Sequence, residues 1–369
     1  MSHRHIGILT SGGDAPGMNA AIRTATLVAL SQGCTVSGIE RGYRGLIDGQ
    51  FRALQPGDVA GIIRDGGTIL GSARAPEFAQ PEVRVAARRQ LHEAGITGLV
   101  IIGGNGSLTG ALALANADEA QPGAPAPTIT GIPASIDNDM GCTQLSIGVD
   151  TAMNTIVEAC DKLADTASAH HRAFIVEVMG RACGYLAMTS AVATGANAVF
   201  FREFEQSEDE VVDTLEKAVV RASQRTDRPK RALAIKAEGV SVPTDRLKAR
   251  LDERLKARDD ESSAMETRYS ILGHVVRGGR PSAFDRLLAS RMGHVAARSL
   301  IDGGNCVMTG WMSEGIPPEA GGRSPYDPHV WQIDLATALK ETERLLSGES
   351  DHVKWRVKIF RELEDVLAL

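Results

Sequence analysis

The chain has 369 residues, 43% of them apolar but only 4% aromatic, and a net charge of −6 at neutral pH. That length exceeds one small core and suits two α/β domains, whose interiors must be filled by Ala, Val, Ile and Leu. The acidic balance excludes a protein whose main partner is nucleic acid or an anionic membrane, so any anion site must come from locally gathered arginines and backbone amides.

In chain order, Ile6–Leu9 reads as a buried strand opening into the turn Thr10-Ser11-Gly12-Gly13-Asp14-Ala15-Pro16-Gly17, with a helix from about Asn19. A strand at Thr35–Ile39 follows, then a helix over about Pro81–Ala94 and a strand at Gly98–Ile102. The turn Gly103–Ser107 leads into a helix, and Thr128–Ile132 is the next strand. The pattern restarts after Val149, with helices at about Thr151–Ala164 and Glu208–Gln224 and strands at Phe174–Met179, Arg231–Ala237 and Tyr269–Val276. Thr244–Arg258 reads as an exposed, solvated helix capped by Thr244 or Asp245, and Leu335–Leu346 as a C-terminal helix. Alternation of this kind predicts mainly parallel sheets flanked by helices.

The five cysteines (Cys34, Cys142, Cys160, Cys183 and Cys306) contain no C-x-x-C pair, so neither a disulfide framework nor a zinc spacing is expected. No apolar run reaches the ~18 residues of a spanning helix, and the N-terminus lacks a signal-peptide layout. A soluble, cytoplasmic protein is expected.

Three glycine clusters, Gly12-Gly13, Gly66-Gly67 and Gly103-Gly104, are expected at strand ends on one sheet edge, where backbone amides can approach a phosphate. Neither a Walker loop nor a dinucleotide fingerprint is present. After Thr128–Ile132 comes Pro133-Ala134-Ser135-Ile136-Asp137-Asn138-Asp139, in which one carboxylate can take a proton while its neighbour ligates Mg²⁺, or which simply forms an Asx-rich turn. Arg172, Arg181, Arg268, His274 and Arg277 flank two predicted strands and could hold a phosphorylated sugar, although each alone suits a surface ion pair.

The run from Gly7 to Asn19 resembles the opening of the bacterial-type 6-phosphofructokinases. So do Gly71-Ser72-Ala73-Arg74, Ser135–Asp139, Glu177–Arg181 and Leu272–Gly279, in family order and near-family spacing. The resemblance implies two domains, 1–148 with about 277–330 for the phosphoryl donor and 149–276 with about 331–369 for the sugar phosphate, and an active site in the cleft between them. It implies ATP as co-substrate, Mg²⁺ as cofactor and fructose 6-phosphate as acceptor. Asp137 would be the general base, with Ser135 beside it, and Asp139 and Asn105 would serve the metal. Gly12 and Arg74 would meet the transferred and donor phosphates, while Tyr43, Gly103, Gly104, Asn105, Gly106 and Ser107 would line the nucleotide side. Met179, Gly180, Arg181, Glu238 and His274 would grip the sugar, with Arg277 on its 6-phosphate or the transition state. Arg172 and Arg268 would reach the sugar phosphate of a neighbouring subunit, implying a homotetramer or homodimer with shared sites.

Departures from the family pattern leave alternatives open. Asn105 stands where most ATP-using relatives carry Asp, which removes a charge from the metal site. Pyrophosphate-using relatives carry Asp and Lys where this chain has Gly106 and Ala134, which favours ATP over pyrophosphate. Leu27 and Ala164 replace two expected effector-binding arginines, so little inhibition by phosphoenolpyruvate is expected. A pyrophosphate-dependent enzyme, a kinase acting on sedoheptulose 7-phosphate and a catalytically weak regulatory relative remain the other readings.

Overall fold

The structure is a computed structural model that describes residues 4–226, 229–312 and 321–367, with side chains through 362. The first elements are β1 (His5–Ser11), α1 (Met18–Ser31), β2 (Thr35–Ile39), α2 (Gly42–Ile47), β3 (Phe51–Ala53), α3 (Pro81–Glu93), β4 (Gly98–Gly103), α4 (Asn105–Leu114) and β5 (Thr128–Pro133). They continue with α5 (Val149–His170), β6 (Arg172–Val178), α6 (Tyr185–Thr194), β7 (Ala198–Phe200), α7 (Glu208–Ser223), β8 (Ala232–Ala237), α8 (Thr244–Lys256) and β9 (Glu266–Ile271). The chain closes with α9 (Ala283–Ile301), β10 (Val307–Trp311), β11 (Gly321–Ser324), β12 (Asp327–Asp334), α10 (Leu335–Leu346) and α11 (Asp351–Leu367). Two compact units result, Met1–Thr151 with Arg277–Arg344 and Ala152–Val276 with Leu345–Leu369.

The first unit is built on an eight-stranded sheet of order β11-β12-β10-β5-β4-β1-β2-β3. Its inner strands are parallel, whereas β3 and the β11–β12 pair run antiparallel at the two edges. Strand β4, Gly-Leu-Val-Ile-Ile-Gly, is buried along its whole length, as a strand with helices on both faces must be. Leu9, Leu99, Ile101 and Ile129 from the strands meet Leu46, Leu91 and Leu108 from α2, α3 and α4 in one core. Each such side chain contributes roughly 1.5–3 kcal/mol on burial.

This unit takes in more of the C-terminal chain than the 277–330 expected. Strand β12 pairs with β10 from Val307↔Asp334 to Trp311↔Val330, and buried Thr342 on α10 accepts a hydrogen bond from Gly141 N at 2.8 Å. Both ties hold the chain to the first sheet until Arg344. Where α9 meets this edge, Phe284 packs edge-on against Trp311 at 5.8 Å. His329 stacks on the same indole at 5.4 Å, and the Arg291 guanidinium lies 5.0 Å from it.

The second unit carries a four-stranded, all-parallel sheet of order β7-β8-β6-β9. Helix α7 starts with a capping box, in which the Ser207 side chain and Glu210 satisfy each other's backbone amides. Helix α8 is not the solvated surface helix expected from its charges. Leu247, Leu251 and Leu255 are buried against Val211, Val212 and Leu215 of α7. Its arginines Arg246, Arg250 and Arg254, with Arg258 just past its end at the same four-residue spacing, pair with Glu208, Asp209, Asp213, Glu216 and Asp260. Pro243 occupies the N-cap position, and Thr244 turns its hydroxyl to Glu177 instead of capping.

The expected strand Tyr269–Val276 is also shorter. The Leu272 amide donates to Glu177 O at 2.9 Å, Gly273 adopts φ 51°, and a 3₁₀ turn over Gly273–Arg277 follows. Helices α2, α6, α9 and α11 had no counterpart in the sequence reading. No described helix is long and apolar enough to cross a membrane.

Candidate active site

The sheet register of the first unit brings three chain segments to one edge. Ser11 of β1 pairs with Gly103 of β4, which pairs in turn with Pro133 of β5. The residues that follow each strand therefore emerge side by side: Gly12-Gly13-Asp14, Gly104–Ser107 and Ala134–Asp139. The approach is too close for ordinary side chains, since a Cβ on Gly103 would stand 2.4 Å from Ser11 O. Gly104 is the N-cap of α4, so the helix presents its unsatisfied amides and positive dipole end at this edge.

Arg277 arches over the first loop. Its Nη1 lies 3.5 Å from Asp14 O, and a Cβ on Gly13 would meet that nitrogen at 2.7 Å. Ser107, expected to line the nucleotide side, is buried at the start of α4, and its carbonyl accepts a hydrogen bond from the Tyr43 hydroxyl at 2.5 Å. Tyr43 itself is only 5% exposed and stacks on Phe78 at 4.2 Å. Burial pushes its phenol well above the usual range. Tyr43 thus supports the loop from beneath and offers no open face to a ligand.

The Gly66–Gly71 cluster follows no strand of the sheet, contrary to expectation. Side chains carry it to the edge instead. Thr10 Oγ1 donates to Gly71 O at 2.8 Å, and Asn19 binds the carbonyls of Asp65 and Gly66 and the amide of Ile69. Ser72 then donates to Gly12 O at 2.7 Å, which sets exposed Arg74 two residues from the first loop.

Along 135–140 burial alternates. Ile136, Asn138 and Met140 point inward, while Ser135, Asp137 and Asp139 keep partial access. Asn138, at φ 51°, pins the loop by donating to Gln144 O at 2.9 Å and accepting from Ser146 N at 3.0 Å. Ser135 Oγ donates to Asp139 Oδ1 at 2.6 Å, and Ala134 N donates to Gly103 O at 3.0 Å, joining this loop to its neighbour. Ala134 is buried, whereas a side chain on Gly106 would enter open space.

Asp139 and Asn105 offer hard oxygen donors on adjoining strand ends, and Asn105 Oδ1 already accepts from Thr109 Oγ1 at 3.3 Å. No group of three or more His, Cys, Asp or Glu gathers among the described residues. That donor set fits Mg²⁺, which is bound through one or two protein oxygens plus substrate phosphates and water.

In the second unit Met179, Gly180, Arg181 and Glu238 meet at the carboxyl edge of β6 and β8. Glu238 N donates to Val178 O at 2.9 Å and Gly239 N to Gly180 O at 3.2 Å. Exposed His274 lies in the turn after the neighbouring β9. Arg172 and Arg268 are not brought to this group. Arg172 opens β6, about 20 Å along the strand from Val178, and both arginines pair with Glu266.

Sequence reasoning passed over an ion pair between β8 and β6, in which buried Lys236 reaches half-buried Glu177 at 3.0 Å. A lysine inside the apolar run Ala-Leu-Ala-Ile-Lys-Ala was the available signal. Asn19 and Asn138 were also passed over, and their polar side chains beside glycine turns were the only hint.

A parallel α/β sheet with glycine-rich loops and a dicarboxylate loop on one edge defines a protein of the phosphate-handling α/β class. Residues 5–300 match the family model described as Phosphofructokinase. The chain is 46% identical over 306 residues to the ATP-dependent 6-phosphofructokinase of Thermotoga neapolitana, covering 83% of this chain and 89% of that one. It is 44% identical over 316 residues to the enzyme of the same name from Halothermothrix orenii, covering 84% and 90%. The chain therefore belongs to the phosphofructokinase family. Its fold superposes on Saccharomyces cerevisiae phosphofructokinase with a TM-score of 0.80 at 30% identity, over 97% of this chain but only 50% of the yeast chain. A pyrophosphate-dependent phosphofructokinase from Marinobacter aquaeolei shares the fold at a TM-score of 0.74 with 18% identity, covering 91% and 83%.

Proposed function

We propose that the chain transfers the terminal phosphoryl group of ATP to the 1-hydroxyl of fructose 6-phosphate, giving fructose 1,6-bisphosphate in glycolysis, as a cytoplasmic enzyme. One observation carries this reading: the register Ser11–Gly103–Pro133 sets the glycine loops and the Asp137 loop side by side. A phosphoryl acceptor needs a base beside the phosphate, and here both come from neighbouring strand ends.

Asp137 takes the proton as the sugar oxygen forms its bond to the terminal phosphorus and the bond to the ADP oxygen breaks. The Gly12 amide and the α4 N-terminus face the charge spread over the transferred oxygens, and Arg74 and Arg277 add guanidinium donors. Asp139 and Asn105 would hold Mg²⁺, which supplies charge neutralisation on the donor phosphates when bound. Met179, Gly180, Arg181, Glu238 and His274 orient the sugar. Arg172 and Arg268, distant from that group within their own chain, serve the sugar phosphate of a neighbouring copy in a homo-oligomer.

ATP is the donor on this reading. Gly106 leaves open space where the rest of a nucleotide must pass. The relatives at 44–46% identity bear an ATP-dependent name. Purified protein assayed with Mg²⁺ and fructose 6-phosphate should turn over with ATP and not with pyrophosphate. Turnover with pyrophosphate alone overturns the donor assignment, and silence with both donors overturns the activity.

A further inference from the structure

Asp285 has no place in the chemistry above, yet it is 0% exposed in the first turn of α9. Its carboxylate accepts from Gly148 N at 2.8 Å, from Thr151 N at 2.8 Å and from Thr151 Oγ1 at 2.6 Å. All three donors belong to the start of α5, so a side chain of one helix caps the N-terminus of another. The cap is reciprocal. Ser282, the N-cap of α9, accepts from Asp285 N at 3.1 Å, donates its own amide to Thr151 Oγ1 at 2.9 Å, and donates its hydroxyl to Asp150 Oδ2 at 2.5 Å. Two helix dipoles thus end on one buried carboxylate and satisfy each other's orphan amides.

The same knot touches both reactive loops through the backbone before α5. Gly148 has φ 98°, and a Cβ there would stand 2.8 Å from Ala15 Cβ, 3.1 Å from Pro16 Cδ and 3.1 Å from Ile136 Cγ2. One glycine is therefore wedged between the end of the Gly12–Asp14 loop and the residue preceding Asp137. Beside it, Ile147 N donates to Pro133 O at 3.1 Å, and Gln144 and Ser146 are held by Asn138. Gly17, at the other end of the phosphate loop, faces Ile147 Cγ2 so closely that a Cβ would sit 2.7 Å from it and 3.5 Å from Asp285 O. A shift of Gly148 must move both loops. The chain also leaves the first unit after Thr151 and returns at Arg277, so the knot fastens the residues next to both passages.

We infer that Asp285 is a positioning residue for phosphoryl transfer: through Gly148 it keeps the phosphate loop at Gly12–Asp14 and the base loop at Ser135–Asp139 in register with each other. This rests on the reading of the site given above. Misplacement by about 1 Å between base and phosphate can cost roughly a hundredfold in rate, which is the order of effect at stake.

The test is Asp285→Asn, which keeps the shape but sets an amide N–H₂ against a backbone donor, alongside the milder Thr151→Val, which removes one of the three donors. Steady-state kinetics, binding of fructose 6-phosphate by calorimetry, and hydrogen–deuterium exchange are measured on full-length wild type and both variants. Asp285→Asn should lower kcat about ten- to hundredfold, with affinity for fructose 6-phosphate within about twofold. Amides 12–17 and 135–148 should exchange faster, and those of 173–178 unchanged. A purely structural role would lower the melting temperature and leave kcat per folded molecule and loop exchange unmoved, and that result overturns the inference. If Asp285→Asn does not fold, Thr151→Val decides: unchanged kcat and unchanged exchange in both loops overturn it. If the wild type itself fails to turn over, the activity is wrong, and the exchange comparison alone still decides whether Asp285 holds the two loops.

Discussion

Asp137 and Asp139 sit two residues apart on the accessible side of one loop, and Asp139 accepts from Ser135 Oγ at 2.6 Å. On the reading proposed above, Asp139 serves the metal and Asp137 takes the proton. Asp137→Ser should reduce kcat by about 10²–10⁴-fold while the KM for fructose 6-phosphate stays within a few-fold. A variant retaining near-normal kcat contradicts the role of base. Asn105→Asp adds a full negative charge beside Asp139 and should lower the Mg²⁺ concentration for half-maximal rate by roughly several-fold. A titration of rate against Mg²⁺ reads this directly, and an unchanged or raised requirement places the metal elsewhere. At this scale the sequence disclosed residues whose chemistry demands a type, such as Asp137 and Gly12. It concealed Asn138 and Asp285, because their work depends on partners that only the fold supplies, in the case of Asp285 Gly148 and Thr151, more than 130 positions away. Tyr43 shows the converse, a residue assigned to ligand contact that the packing places beneath the loop.

Among the elements, α8 separates burial from charge. Leu251 is fully buried in the α7–α8 core, so Leu251→Ala should cost about 2–5 kcal/mol in denaturant unfolding. Arg250→Ala, removing pairs to Glu208 and Asp209, should shift the midpoint far less, and salt should erase that smaller shift. Equal shifts from the two variants would mean that the arginine ladder holds the helix as firmly as the leucine stripe does.

The joint between α9 and β12 answers to acid instead. Burial works to raise the Asp327 carboxyl, but Arg291 at 2.6 Å and the amides of His329 and Val330 outweigh it, and it is held below the usual range. Its contribution is therefore complete above the ordinary value near ~3.9 and is lost as pH falls through the depressed one. Asp327→Asn should lose less stability than wild type between about pH 5 and 3, and parallel acid-unfolding curves would refute the assignment.

The inner strands were readable because full burial leaves an apolar run, as in β4. Helix α6, Tyr-Leu-Ala-Met-Thr-Ser-Ala-Val-Ala-Thr, was missed because it is apolar nearly all round and carries no amphipathic stripe. The β11–β12 pair was missed because its sequence, Gly321–Asp334, alternates weakly and opens with two glycines.

For the whole molecule, the separation of Arg172 and Arg268 from the Met179–Glu238 edge has a consequence in mixtures. If those arginines complete a neighbour's site, inactive Asp137→Ser and inactive Arg172→Ala proteins should complement after co-refolding, restoring about a quarter of wild-type activity for random pairing. No recovery would mean that each chain supplies all of its own residues.

The aromatic contact at the foot of α9 gives the molecule an optical handle. Trp311 is touched by Phe284, the residue before Asp285, and carries His329 and Arg291 on its ring. With Trp331 and Trp355 replaced by Phe, emission from this single indole would track the first turn of α9 without any attached dye. Its wavelength would move if the turn loosens, so a stopped-flow trace could time the seam between the two helices during turnover.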